Sequence, residues 1–157
     1  MGTYVPQRTH DDCMIAAFAT ATDRTYEEVA EAFGVPCNGD GYPSLPPVGG
    51  VNLLGVPVPL LSLGFNAVLC LSTEATGNPS LRLPTSDALK TLLPSRTAVV
   101  TAPDAHLRVL GIQHAMAWKD SAVIDCREPE GKGPKLDRLT LSAVVLLTPI
   151  NDREVVD

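Results

Sequence analysis

Four residues of this 157-residue chain have side chains suited to breaking an acyl bond: Gln7, Cys13, His114 and Asp125. A thiol supplies a nucleophile, an imidazole takes and returns its proton, a carboxylate orients the imidazole, and an amide donates to the oxyanion. Cys13 falls on the first turn of a helix expected over residues 12–22. Unpaired backbone amides and the helix dipole favour an anion there, so a thiolate forms more easily. The neighbouring Asp11 and Asp12 oppose this by charge, unless they cap the helix and turn away. An imidazolium at contact distance more than offsets them. Taken alone, Cys13 reads more simply as a small apolar residue of the helix.

His114 and Asp125 sit in two apolar-rich runs that flank Lys119-Asp120. If those two residues turn a hairpin, Trp118 faces Ser121, Met116 faces Val123 and His114 faces Asp125. Cross-strand partners project to one side with Cβ atoms about 5 Å apart, which sets a carboxylate beside the ring. Ala115, Ala117, Ala122 and Ile124 are left for the opposite face and suit a core. Lys-Asp is not a favoured two-residue turn, and a one-residue slip would separate the two groups. Gln7 precedes the thiol by six positions, and an extended segment entering the helix can fold its amide back beside the sulfur. The rival histidines are His10, just before the helix, and His106; the rival acid is Asp120, in the expected turn. Cys37, Cys70 and Cys126 read as inert, with Cys126 open to oxidation if it is exposed beside the site. Trp118 reads as packing near the hairpin end.

The elements that must position these groups follow from pattern. Ile15, Phe18, Ala19 and Thr22 form the expected inner stripe of the first helix. Thr25 and Glu28 make a capping box for a second, in which Tyr26, Val29, Ala30 and Phe33 follow a 3.6-residue period and Gly34 stops the helix. Residues 35–50 are rich in Gly and Pro and form a long loop, either a cleft wall near Tyr42 or a surface excursion. A short helix at 60–63, ended by Gly64, precedes a strand at 66–72; 73–84 reads as loop and 86–93 as a helix capped by Thr85 or Ser86. Strands are expected at 97–101, 107–117, 122–125 and 139–147. Helices first and mostly antiparallel strands afterwards make an α+β pattern.

Composition narrows the function classes. With 45% hydrophobic and 19% charged residues the chain is globular in type. A net charge of −6 lacks the basic footprint of a nucleic-acid binder, and no nucleic-acid partner is expected. The longest apolar run, 51–65, is interrupted by Gly55, Pro57 and Pro59 and is too short to span a membrane. The first residues lack the apolar core of a secretory signal, so the expected location is the cytoplasm. Four widely spaced cysteines without a CxxC pair argue against zinc, and the chemistry proposed for them requires no metal or organic cofactor.

The order Gln7-x5-Cys13 at a helix start, then His114 and Asp125 on successive strands, resembles the papain-like cysteine peptidases. Within them it is most similar to the compact bacteriocin-processing, double-glycine leader peptidases. Those share an Asp-Cys pair, as in Asp12-Cys13, a Tyr-x-x-Val helix, as in Tyr26 to Val29, and a Leu-x-x-Leu-Gly-Phe turn, as in Leu60 to Phe65. The chain departs from that pattern at Met14, Gln113 and Cys126, which implies unusual substrate requirements. The resemblance implies one papain-like domain over 1–157, with N-terminal helices packed on an antiparallel sheet. It implies Cys13 as nucleophile, His114 as base and acid, Asp125 as orienting residue and Gln7 as oxyanion donor, acting on a peptide or protein. A non-catalytic binding or inhibitory protein, or an acyltransferase or deamidase, would use the same scaffold.

Overall fold

A computed structural model describes residues 4–44, 53–104 and 113–150. Helix α1 (Cys13–Thr22) is followed by α2 (Tyr26–Ala32) and α3 (Pro57–Ser62), then β1 (Phe65–Leu71), α4 (Thr73–Thr76), α5 (Ser86–Lys90), β2 (Thr97–Pro103), β3 (Gln113–Lys119), β4 (Ala122–Ile124) and β5 (Ala143–Pro149). The strands form one antiparallel sheet in the order β1-β5-β2-β3-β4. The α+β expectation therefore holds.

Alternation along the strands divides the core in two. Val99, Ala115, Ala117, Val145 and Leu147 face α1 and α2. Ala98, Val100, Met116, Trp118 and Val144 face the other way, onto Leu89, Leu93 and Leu141. The single-stripe picture of α1 is corrected: every residue from Met14 to Thr22 is buried, and Cys13 alone is partly exposed. Alanines at 16, 17, 19 and 21 let the helix lie close against both sheet and α2, and Thr22 returns its hydroxyl to the Phe18 carbonyl so that its burial leaves no unpaired donor.

The expected N-cap is also corrected. Asp12 occupies the cap position without bonding the helix amides. Its carboxylate turns back to the amides of Arg8 and Thr9 and to the Tyr26 hydroxyl. The capping box of α2 is present in both halves, and Gly34 follows the helix at a φ of 75°. The first-turn prolines of α3 extend that helix upstream of the expected start, since a helix's first amides need no partner there. The 73–84 segment is not all loop: the Ser72 hydroxyl accepts from the Ala75 amide and starts α4. The helix at 86–93 is shorter than expected, and β5 starts at Ala143 rather than at 139 because the Leu141 amide is taken by the Ser86 hydroxyl. Among the described residues no helix is long and apolar enough to cross a membrane.

Two features fix the site end of the sheet. The β3–β4 turn is Asp120-Ser121, both residues in the left-handed region, which gives the turn type that matches strand twist. The expected Lys119-Asp120 turn is thus displaced by one position, and Lys119 pairs with Ala122. The register moves by two in pairing, so every residue keeps its face. The second feature is the alignment of α1 with β3. The Lys119 ammonium bonds Asp23 and the Thr20 carbonyl at the end of α1. Ten helical rises from Cys13 to Asp23 cover about 15 Å, and five strand rises from His114 to Lys119 about 16 Å. Helix and strand run the same way, and their other ends, Cys13 and His114, come level.

Candidate active site

His114 is the second residue of β3 and is 4% exposed. Its Nε2 lies 2.8 Å from Asp125 Oδ1, and Asp125 is itself 5% exposed. The Asp125 carboxylate sits just past β4, diagonally across from the ring rather than directly opposite as the expected Lys119-Asp120 turn would have put it. Parity rescued the pairing, because a two-residue change in partners leaves both groups on one side. The segment after β4 is held closely. The Asp125 amide donates to the Gly131 carbonyl at 3.0 Å, and a Cβ on Gly131 would come within 2.8 Å of Ile124 and of the Tyr4 ring. Gly131 also has a φ of 73°, so glycine is required there twice over.

With Nε2 engaged by Asp125, Nδ1 is the ring nitrogen left for the thiol. Burial works against a charged ring, but the hydrogen bond to Asp125, a hydrogen bond with Cys13 and the charges of both push His114 up to about 9. Burial likewise opposes ionisation of Asp125. The bonds from His114 and from the Arg127 amide, with the charges of both side chains, outweigh it and hold the carboxyl below its usual range.

Cys13, His114 and Gln7 line one open cleft of about 780 Å³, together with Asp104, Gln113 and Arg127. Gln7 is brought there by a backbone bond to the Cys126 carbonyl at 2.9 Å, which lays the N-terminal segment along the strand extension carrying Asp125. Its Nε2 donates to the Thr9 carbonyl at 3.0 Å, and its Oε1 is buried without a partner among the described residues. An amide nitrogen has two hydrogens, so one remains for the cleft.

The rivals fare differently. His10 is exposed at the cleft rim, Asp120 is exposed in the turn, and His106 lies outside the described residues. Cys126 is buried and its sulfur lies 3.5 Å from the Thr20 hydroxyl; burial pushes its thiol up to about 11, so the exposure needed for easy oxidation is absent. Trp118 packs in the second core with its indole N–H on the Leu93 carbonyl. Of the Gly/Pro loop, residues 35–44 are described. They close by a Cys37–Pro43 bridge, and Tyr42 does not line the cleft; 45–50 lie outside the described residues. Among the described residues no cluster of three or more His, Cys, Asp or Glu is placed to hold a metal.

Sequence reasoning missed Asp104 and Arg127. Arg127 Nη1 meets Asp104 Oδ2 at 2.7 Å, and its backbone amide meets Asp125 Oδ1 at 3.0 Å. The second bond has a local signal, since an Asp commonly accepts from the amide two residues on. The first joins residues 23 apart and has none.

No family model and no curated protein matches the chain. Among solved structures it is similar to the peptidase domain of Streptococcus ComA, a bi-functional ABC transporter involved in a quorum sensing pathway. Identity is 16% and the TM-score 0.55, over 94% of this chain and 99% of that one. The likeness shows the fold, which is that of a papain-like peptidase domain.

Proposed function

We propose that this protein is a cysteine-nucleophile hydrolase that cleaves a peptide amide bond through an acyl-enzyme. The observation that carries the reading is a buried imidazole bonded on Nε2 to Asp125 and hydrogen-bonded with Cys13, the ring and the sulfur both lining an open cleft. Cys13 attacks the scissile carbonyl carbon as a thiolate, its proton resting on His114 Nδ1 in the imidazolium that Asp125 favours. The carbonyl oxygen becomes an oxyanion, held by the Cys13 backbone amide and the second Nε2 hydrogen of Gln7. As the C–N bond breaks, His114 returns its proton to the leaving amine. The thioester that remains is hydrolysed by a water deprotonated at the same nitrogen, which releases a carboxylate and restores the thiol. Asp125 fixes the ring tautomer and stabilises the imidazolium throughout. The groups that act all come from the chain itself.

The test is a defined mixture of synthetic peptides incubated with wild type and with Cys13→Ala, and read by mass spectrometry. New termini that form with wild type alone support peptide hydrolysis. Identical profiles for the two proteins contradict it.

A further inference from the structure

We infer that Asp12 is a positioning residue: its buried carboxylate folds the segment 8–11 so that the Gln7 amide and the Cys13 amide converge on one point. The inference rests on the hydrolase reading above and adds a residue to it. Asp12 is 0% exposed although it is a carboxylate. Its Oδ2 accepts from the Arg8 amide at 2.8 Å, the Thr9 amide at 3.2 Å and the Tyr26 hydroxyl at 2.5 Å, while Oδ1 makes no bond among the described residues. Burying a charge with one oxygen unpaired is costly, and a neutral acceptor would cap a helix more cheaply. Asp12 does not cap the helix, so helix stability does not account for it.

What the carboxylate does hold is the chain between the two amides of the oxyanion site. Thr9, whose amide it takes, supplies the carbonyl that fixes the Gln7 side chain. Arg8, whose amide it also takes, lies over the Tyr26 ring at 4.1 Å, donates to the Gly41 carbonyl and pairs with Glu27. The loop is thereby pinned to α2 on one side and to Gln7 on the other, with Cys13 next in the chain. Asp12 touches neither substrate nor the reacting atoms; it acts through the geometry of Gln7 and Cys13. Small displacements of such donors are expensive, since about 1 Å of misplacement can cost about 10²-fold in rate.

Two reactions of the same sulfur separate positioning from folding. Alkylation by iodoacetamide forms no oxyanion, whereas acylation by p-nitrophenyl acetate does. Asp12→Asn is expected to lower the acylation burst rate by about tenfold or more while alkylation of Cys13 stays within about threefold. Tyr26→Phe, which leaves Asp12 its two amide partners, is expected to move the same ratio in the same direction by less, and it decides the question if Asp12→Asn does not fold. Parallel loss of both rates, or an unchanged ratio in a folded variant, overturns the positioning role. Absence of any burst from wild type, by contrast, sinks the hydrolase reading before Asp12 enters it.

Discussion

An ion pair marks each end of the α1–β3 pair, and the two are unlike. At the far end Lys119 meets Asp23, whose side chain is mostly in solvent. At the near end His114 meets Asp125 with both side chains buried, and the partly exposed Cys13 stands beside them. The strand contributes one member to each pair, and the helix places Asp23 at one end and Cys13 at the other. Water screens the first pair, so it contributes little and perturbs little. Exclusion of water from the second turns a hydrogen bond and two neighbouring charges into a large shift of the ring's proton affinity. Alignment of two elements places groups at both ends; both partners are buried at the near end alone, and there the ring's proton affinity shifts.

Substitutions sharpen that contrast in descending order. Cys13→Ala is expected to lower peptide hydrolysis by about 10⁴-fold or more, measured as kcat/KM on any peptide that wild type cleaves. His114→Ala should cost about 10²- to 10⁴-fold in the same assay. Asp125→Asn should cost about tenfold or more and leave a signature in the pH profile. Without the carboxylate, the strongest influence opposing burial is lost, so the alkaline fall in activity, expected near pH 9 in wild type, moves to lower pH. An unmoved alkaline limb would separate Asp125 from the ring's titration.

Stability should follow the same proton. The folded ring is raised from 6.5 to about 9, so it binds its proton more tightly folded than unfolded. The contribution is full below about pH 6.5 and is lost as pH rises through about 9. Melting temperatures of wild type should fall across that window relative to His114→Gln, and parallel curves for the two would contradict the sign. The smallest effect is at the far end. Asp23→Asn, which keeps a residue tolerant of the left-handed backbone at a φ of 57°, should change unfolding free energy by less than about 1 kcal/mol and leave activity unchanged.

Much of this was legible in the residues, and the failures have physical causes. The start of α1, the capping box of α2 and the α+β order depend on near neighbours in sequence, and these agree with the structure. The juxtaposition of His114 and Asp125 was reached with the wrong turn, because side-chain parity survives a change of two in pairing while turn position does not. Local rules let Asp11 or Asp12 cap the helix, and Asp12 does not because its decisive partner, Tyr26, is 14 positions away. The complete burial of α1 was missed because alanine carries no periodic signal, and the Asp104–Arg127 pair because nothing in either neighbourhood points to the other.

The central claim is that His114 acts on the Cys13 sulfur, and intact mass after brief iodoacetamide treatment at neutral pH reads it most directly. Wild type should gain one adduct quickly, mapped to Cys13, and His114→Ala should gain it much more slowly. Equal rates in the two proteins, or slow labelling spread over several cysteines, would contradict the account.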